Sequence, residues 1–194
     1  MWTRTEEGHF IDTGALNTAG VPPEVLFLER AWRWTKPGTG RIAILLPDGL
    51  LGNPGDEYVR WWILRHCEVL ASVDLPIEPF KVTLKDYRLT PALPSLLVLR
   101  RRSHEELKHT SHPDYWVFMA VVRRAGVSAR GNRLFQRAPD GEELIFDDEV
   151  IERIRIGGRV ESRTMPRRQR HIDDELPLVA EHYRKFVGGG RRGP

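Results

Sequence analysis

Between Gly40 and Phe80 the chain reads GRIAILLPDGLLGNPGDEYVRWWILRHCEVLASVDLPIEPF, and this segment leaves little freedom of fold. Arg41–Leu46 (RIAILL) is a short apolar run without the polar alternation of a half-exposed strand. It predicts a strand covered on both faces, as in a parallel sheet flanked by helices. Pro47-Asp48-Gly49 ends it. Asn53-Pro54-Gly55-Asp56-Glu57 has the order of a helix start, with an Asn cap, a proline at the first position and acids in the first turn. That helix is expected to run to about Leu70, with Val59, Trp62, Ile63 and Cys67 on one face. Ala71–Leu75 then forms the next strand.

The flanks extend the pattern. Pro22-Pro23-Glu24 opens a helix whose apolar face is Val25, Leu28, Ala31 and Trp32, and Lys36-Pro37-Gly38 stops it. Leu96–Leu99 is a further strand, ended by Arg100–Arg102. Pro23–Leu99 thus alternates helix, strand, helix, strand, strand, which is part of a doubly wound α/β sheet. Three strands are too few for such a sheet, and Met1–Gly20, polar and rich in Gly and Thr, reads as a flexible loop that adds none. Three regions follow: a flexible segment at 1–20, a partial α/β domain at 21–102, and a small α+β extension at 103–194.

In the extension, Ser103–Asp114 is a polar linker. Its His104, His109 and His112 form no helical i, i+4 pair and have no cysteine partner nearby, so no metal is expected there. Tyr115–Val122 is apolar and reads as one arm of a hairpin with Arg133–Gln136, with a helix over Tyr115–Arg124 as the alternative. Asp140-Gly141 is a second turn. Arg159–His171 has few apolar residues and reads as exposed or disordered. Asp174–Val187 is a helix with Leu176, Val179, Ala180, Tyr183 and Phe186 on one face, and GGGRRGP is a flexible tail.

Charge narrows the partners only by its distribution. The 30 Lys and Arg nearly balance 27 Asp and Glu, but seven arginines lie between Arg153 and Arg170. Arg163, Arg167, Arg168 and Arg170 are candidate contacts to DNA phosphates, with a solvated charged segment as the equal alternative. Arg100–Arg102 face the same two roles. The aromatic interleaving of single-strand binders is missing. A lone Cys67 excludes an internal disulfide and reads as a buried, inert thiol. There is neither an apolar signal core at the N-terminus nor a run near the ~20 apolar residues of a membrane span. A cytoplasmic chain without a membrane is therefore expected.

Two residues qualify as a substrate-pocket rim. Asp48 and Asn53 lie just past the carboxyl end of a strand, the edge where open α/β sheets bind ligands. Turn and cap chemistry explains both without a ligand. Asp74, near the end of the next strand, poses the same question. No glycine-rich nucleotide loop is present, because Gly38-Thr39-Gly40 precedes a strand instead of following one. Pro22-Pro23 invites comparison with the Asn/Asp-Pro-Pro-aromatic motif of amino-methylating enzymes, but Val21 stands in place of the acceptor and Glu24 in place of the ring.

Taken together, PPEVLFLERAWRWTKPGTGRIAILLPDGLLGNPGDEYVRWWILRHCEVLASVDLPIEPF resembles the second half of N6-adenine DNA methyltransferases, and more narrowly the modification (M) subunits of type I restriction–modification systems. SLLVLRRR resembles the late strand of that domain. YWVFMAVVRRAGVSARGNRLFQR and DDELPLVAEHYRKF resemble its C-terminal extension. The resemblance implies the C-terminal half of a class I (Rossmann-like) methyltransferase sheet, S-adenosylmethionine as family cofactor, and DNA as substrate. It also implies a specificity subunit as partner. In the family the glycine-rich cofactor motif and the Asn-Pro-Pro-Phe motif both precede this segment, and neither has a match here. No catalytic or cofactor residue carries over, and this chain alone is not expected to bind the cofactor or methylate DNA. A polypeptide supplying the first half of the sheet would be needed. The family's Gly-Thr-x-Thr-Ser-like turn before the late strand is replaced by KVTLKDYRLTPALPSLL, which puts DNA-proximal contacts there in doubt. The alternatives are a non-enzymatic DNA-binding or protein-interaction module, or a degenerate remnant.

Overall fold

The computed structural model describes residues 2–4, 10–12, 21–77, 93–109 and 113–189. Two short strands, β1 (Trp2–Arg4) and β2 (Phe10–Asp12), pair antiparallel, so the N-terminal segment is not the plain loop its composition predicts. Then come α1 (Pro23–Trp34), β3 (Arg41–Pro47) and α2 (Asp48–Gly52). A 3-10 turn at Pro54–Asp56 leads into α3 (Glu57–His66) and β4 (Cys67–Asp74). β5 (Pro94–Arg101), β6 (Phe118–Val121), β7 (Phe146–Ile156), β8 (Arg159–Gln169) and α4 (Leu176–Gly188) complete the described elements.

The main sheet is mixed, with strand order β3-β5-β4-β6. β5 lies antiparallel between β3 and β4, while β6 adds parallel to β4. A purely parallel sheet, as the apolar runs predicted, is therefore not what forms. β5 starts at the end of the sheet where β3 and β4 finish. Asp48 N–H donates to the Leu93 carbonyl (2.8 Å) and Leu75 N–H to the Pro94 carbonyl (3.0 Å). A chain re-entering at that end can only run back against its neighbours. Most of the divergent KVTLKDYRLTPALPSLL stretch lies outside the described residues.

One face of this sheet carries the core. Leu28 of α1, Leu50 of α2, and Val59 and Ile63 of α3 pack on Ile42, Leu46, Cys67, Leu97 and Leu99. α3 ends at His66, four residues earlier than predicted, and Cys67 is already in β4. Glu68 stands opposite Arg100 in the β4–β5 register and pairs with it at 2.6 Å, which extends the strand where helical periodicity alone would continue the helix. At the front of α3, Asn53 makes no side-chain cap, and the 3-10 turn intervenes.

RIAILL departs most from expectation. Ile42 and Leu46 are buried, but Ala43 and Leu45 on the other face are exposed, Leu45 to 46 %. β3 is the edge of the sheet among the described residues. Beside it, α1 leaves Phe27 70 % and Trp34 79 % exposed. Phe27, Arg30 and Trp34 of α1 line, with Ala43 and Leu45, a groove of about 580 Å³ along that edge.

In the extension, Tyr115–Arg124 forms no helix, and β6 makes no hairpin with Arg133–Gln136. That segment instead makes isolated bridges, Val127 with Arg133 and Phe135 with Ile172. α4 lays Tyr183 and Phe186 against Phe118 of β6, at 5.4 and 5.7 Å between ring centroids. Arg159–His171 is not disordered, because residues 159–169 are β8, paired throughout with β7. Gly157 and Gly158 make the turn with φ of 56° and 86°, the positive values that a two-residue hairpin turn requires. The GGGRRGP tail lies outside the described residues beyond Gly189.

Candidate functional site

The carboxyl ends of β3 and β4 meet across the start of β5. Asp48 follows β3, Asp74 ends β4, and Ser95 stands second in β5, directly opposite Asp74 in register. Ser95 is 1 % exposed, and its Oγ lies 2.5 Å from Asp48 Oδ1 and 2.9 Å from Asp74 Oδ1. One hydroxyl proton serves one carboxylate at a time. The two acids therefore compete for a single donor and leave acceptor capacity facing the edge of the sheet. Antiparallel insertion of β5 is what brings the two together, and residue spacing gave no sign of it.

Asn53 lies exposed beyond α2. Its amide sits 3.0 Å from where a Cβ on Gly49 would stand, so a side chain there would press on it. Arg60 of α3 donates to the carbonyls of Leu50 (3.1 Å) and Asn53 (2.7 Å) and holds the Gly49–Asn53 turn against the helix. Asp48 and Asn53 thus border the same turn, but only Asp48 joins the serine–carboxylate cluster.

The arginine triplet is structural. Arg100 pairs with Glu68 and Glu106, each at 2.6 Å. Its hydrogen bond holds the Glu106 carboxyl down at about 2. The sign follows from linkage. A depressed carboxylate stabilises the fold above its unfolded value near 4.5, and that stability is lost as pH falls toward 2. Glu106→Gln is expected to cost about 1–2 kcal/mol at neutral pH, discounted for partial exposure, and to flatten acid unfolding between those values. Urea titrations at stepped pH would measure it, and an unchanged acid limb would contradict this role.

Arg101 and Arg102 are buried, at 9 % and 5 % exposure. The Arg101 guanidinium donates to the carbonyls of Trp32 (3.0 Å), Arg33 (3.3 Å) and Thr35 (2.7 Å) and stacks over the Trp32 ring at 4.0 Å. It closes the C-terminus of α1, where the helix dipole favours a cation. Arg102 lies over Tyr115 at 6.0 Å. None of the three is positioned for a phosphate.

Cys67 is fully buried, and burial pushes its thiol up to about 12, despite the opposing charges of Arg102, Arg101 and Arg100. That thiol is unreactive. His66 stacks on Trp62 at 4.6 Å and donates from Nδ1 to the Trp62 carbonyl (2.9 Å), and burial lowers its proton affinity. His104 and His109 are exposed, and His112 lies outside the described residues. Among the described residues no group of His, Cys, Asp and Glu gathers to hold a metal.

The four candidate phosphate contacts each meet a carboxylate. Arg163 lies 3.5 Å from Glu161, Arg167 3.8 Å from Glu152, and Arg168 3.4 Å from Asp147. Arg170 pairs with Glu143 at 2.6 Å and sits over the Phe135 ring at 4.2 Å. Arg170 therefore anchors the base of the β7–β8 hairpin, where His171 also stacks on Phe146 (4.2 Å) and contacts Asp148 (2.6 Å).

A cofactor cradle is not among these features. Gly40 has no room for a Cβ, which would meet Thr35 and the Lys36 backbone at 2.4–2.7 Å. Its bareness serves its own turn, not a ligand. Gly40 therefore offers no cradle for S-adenosylmethionine. No described helix is long and apolar enough to cross a membrane.

No protein-family model matches the sequence, and no curated protein matches it. Among solved structures, the chain is similar to a Listeria monocytogenes protein assigned to the class I S-adenosylmethionine-dependent methyltransferases. The identity is 25 %, over 50 % of this chain and 26 % of that one, with a TM-score of 0.37. The chain thus spans about a quarter of that protein's length.

Proposed function

We propose that this chain is the C-terminal portion of an adenine-N6-specific DNA methyltransferase of the type I restriction–modification kind, silent alone and completed by a polypeptide bearing the first half of the sheet. One observation carries the reading. RIAILL has the composition of a strand covered on both sides, yet among the described residues β3 stands at an open edge with Ala43 and Leu45 exposed. Phe27 and Trp34 overhang the same edge. α1 enters β3 as the second half of a strand–helix–strand crossover would. Such a crossover places its first strand parallel in the same sheet. The order of the resembling blocks, with SLLVLRRR after the Gly40–Phe80 segment, supports the same reading.

Within the completed enzyme, Asp48 and Asn53 form a rim of the substrate pocket at the carboxyl edge, with the Ser95–Asp74 pair behind them. Cofactor binding and methyl-transfer chemistry belong to the completing half, and a specificity subunit selects the DNA site. The test is methyl transfer to duplex DNA from labelled S-adenosylmethionine. The purified chain is expected to transfer none, and robust transfer by it alone would overturn the proposal. The same open edge also supports an interaction module without chemistry, which would bind its partner and leave adenine unmodified.

A further inference from the structure

The β7–β8 hairpin is an arm. Each strand has 11 residues, about 35 Å at ~3.3 Å per residue, and β8 is exposed along its whole length. Its base is held by the Phe146–His171 stack, the His171–Asp148 contact and the Arg170–Glu143 pair. Among the described residues, nothing comparable holds its tip. A bare two-stranded ribbon is at best marginally stable in water, so an arm of this length is more readily explained by a ligand than by the fold.

Charge along the arm is polarised. The inner half sets Asp147, Asp148 and Glu149 against Arg167 and Arg168. Beyond the Glu152–Arg163 cross-strand pair, the outer half sets Arg153, Arg155 and Arg159 against Glu161 alone. Register divides the faces, because residues opposite each other in an antiparallel pair point the same way. Arg153 stands opposite Ser162 and Arg155 opposite Val160, so neither meets an acid across the ribbon. Arg159 sits at the turn opposite Ile156. All three are exposed, and among the described residues no carboxylate lies within ion-pair distance of them.

We infer that the tip of this arm, through Arg153, Arg155 and Arg159, enters a groove of duplex DNA and contacts its phosphates. The arginines whose charge is already matched, Arg163, Arg167 and Arg168, then brace the ribbon. A two-stranded β-ribbon fits the B-form major groove, about 12 Å wide and about 8.5 Å deep. The deep, narrow major groove of A-form RNA does not admit one. Planar guanidinium groups suit phosphate and base-edge acceptors. The choice of duplex DNA rests on the functional reading above. Binding is read without methyl transfer, so either proposal can fail alone.

The experiment is fluorescence anisotropy of the full chain with a labelled duplex of about 25 base pairs, repeated across salt concentrations. Arg153→Ala/Arg155→Ala/Arg159→Ala is expected to weaken binding at low salt by about tenfold or more and to reduce the slope of log K against log salt by about 2–3. Arg167→Ala/Arg168→Ala is expected to change that slope by less than about 1. The triple lysine variant at the tip, which keeps charge, should retain the slope. Wild-type binding by the alanine tip variant would overturn the inference. So would equal competition by duplex RNA of the same sequence, or a larger loss from the Arg167/Arg168 pair than from the tip.

Discussion

Arg101→Ala is expected to be the most damaging single substitution in the α/β part of the chain, costing about 3–4 kcal/mol. One guanidinium, 9 % exposed, satisfies three carbonyls at the end of α1 and covers Trp32. Alanine removes three charge-assisted hydrogen bonds, leaving the Trp32 carbonyl only its contact with Thr35 N–H, and removes the cation–π contact, worth about 1–2 kcal/mol when desolvated. The helix that carries Leu28 into the core then loses the Arg101 hydrogen bonds that tie its C-terminal end to β5. Arg101→Lys should recover less than half, because a single ammonium cannot reproduce the planar fork. Thermal unfolding should show a fall of about 6–15 °C for the alanine variant. A fall under about 2 °C would mean that water replaces the guanidinium without loss.

The second large effect concerns association. Phe27→Lys with Leu45→Lys alters two exposed side chains, so the isolated chain should keep its stability within about 1 kcal/mol. If the open edge of β3 receives the rest of the sheet, the same pair places two ammonium groups in an apolar contact. Each desolvated charge costs several kcal/mol. Methyl transfer by the reconstituted enzyme should fall at least about 100-fold, with wild-type unfolding curves for the free chain. Full activity of the double variant would place the docking surface elsewhere.

Much of the fold was legible because it rests on local chemistry. Pro23 and Glu24 start α1, Pro47-Asp48-Gly49 ends β3, and the Leu176–Phe186 periodicity marks α4. What escaped was non-local. Cys67–Leu70 carries a helical pattern, and only pairing with β5 settles it as strand. The Ser95 cluster exists because β5 inserts between β3 and β4, which no spacing encodes. The hairpin arm did leave a sign, the Gly157-Gly158 pair between runs that alternate charged and apolar residues (Arg153–Ile156 and Arg159-Val160), but the low apolar content of Arg159–His171 outweighed it. Arg163, Arg167, Arg168 and Arg170 drew notice as a run of charge, whereas pairing partners distinguish engaged arginines from free ones and become visible only in the ribbon.

The most direct measurement is N6-methyladenine formation in duplex DNA, read by mass spectrometry, with S-adenosylmethionine supplied. It would compare the chain alone with the chain mixed with a separate polypeptide that supplies the first half of a methyltransferase sheet. The account predicts no methyladenine from the chain alone and turnover from the mixture, provided that the added polypeptide carries the glycine-rich and Asn-Pro-Pro-Phe motifs. Turnover by the chain alone would contradict it, as would an inactive mixture of two folded polypeptides that carry the full set of motifs.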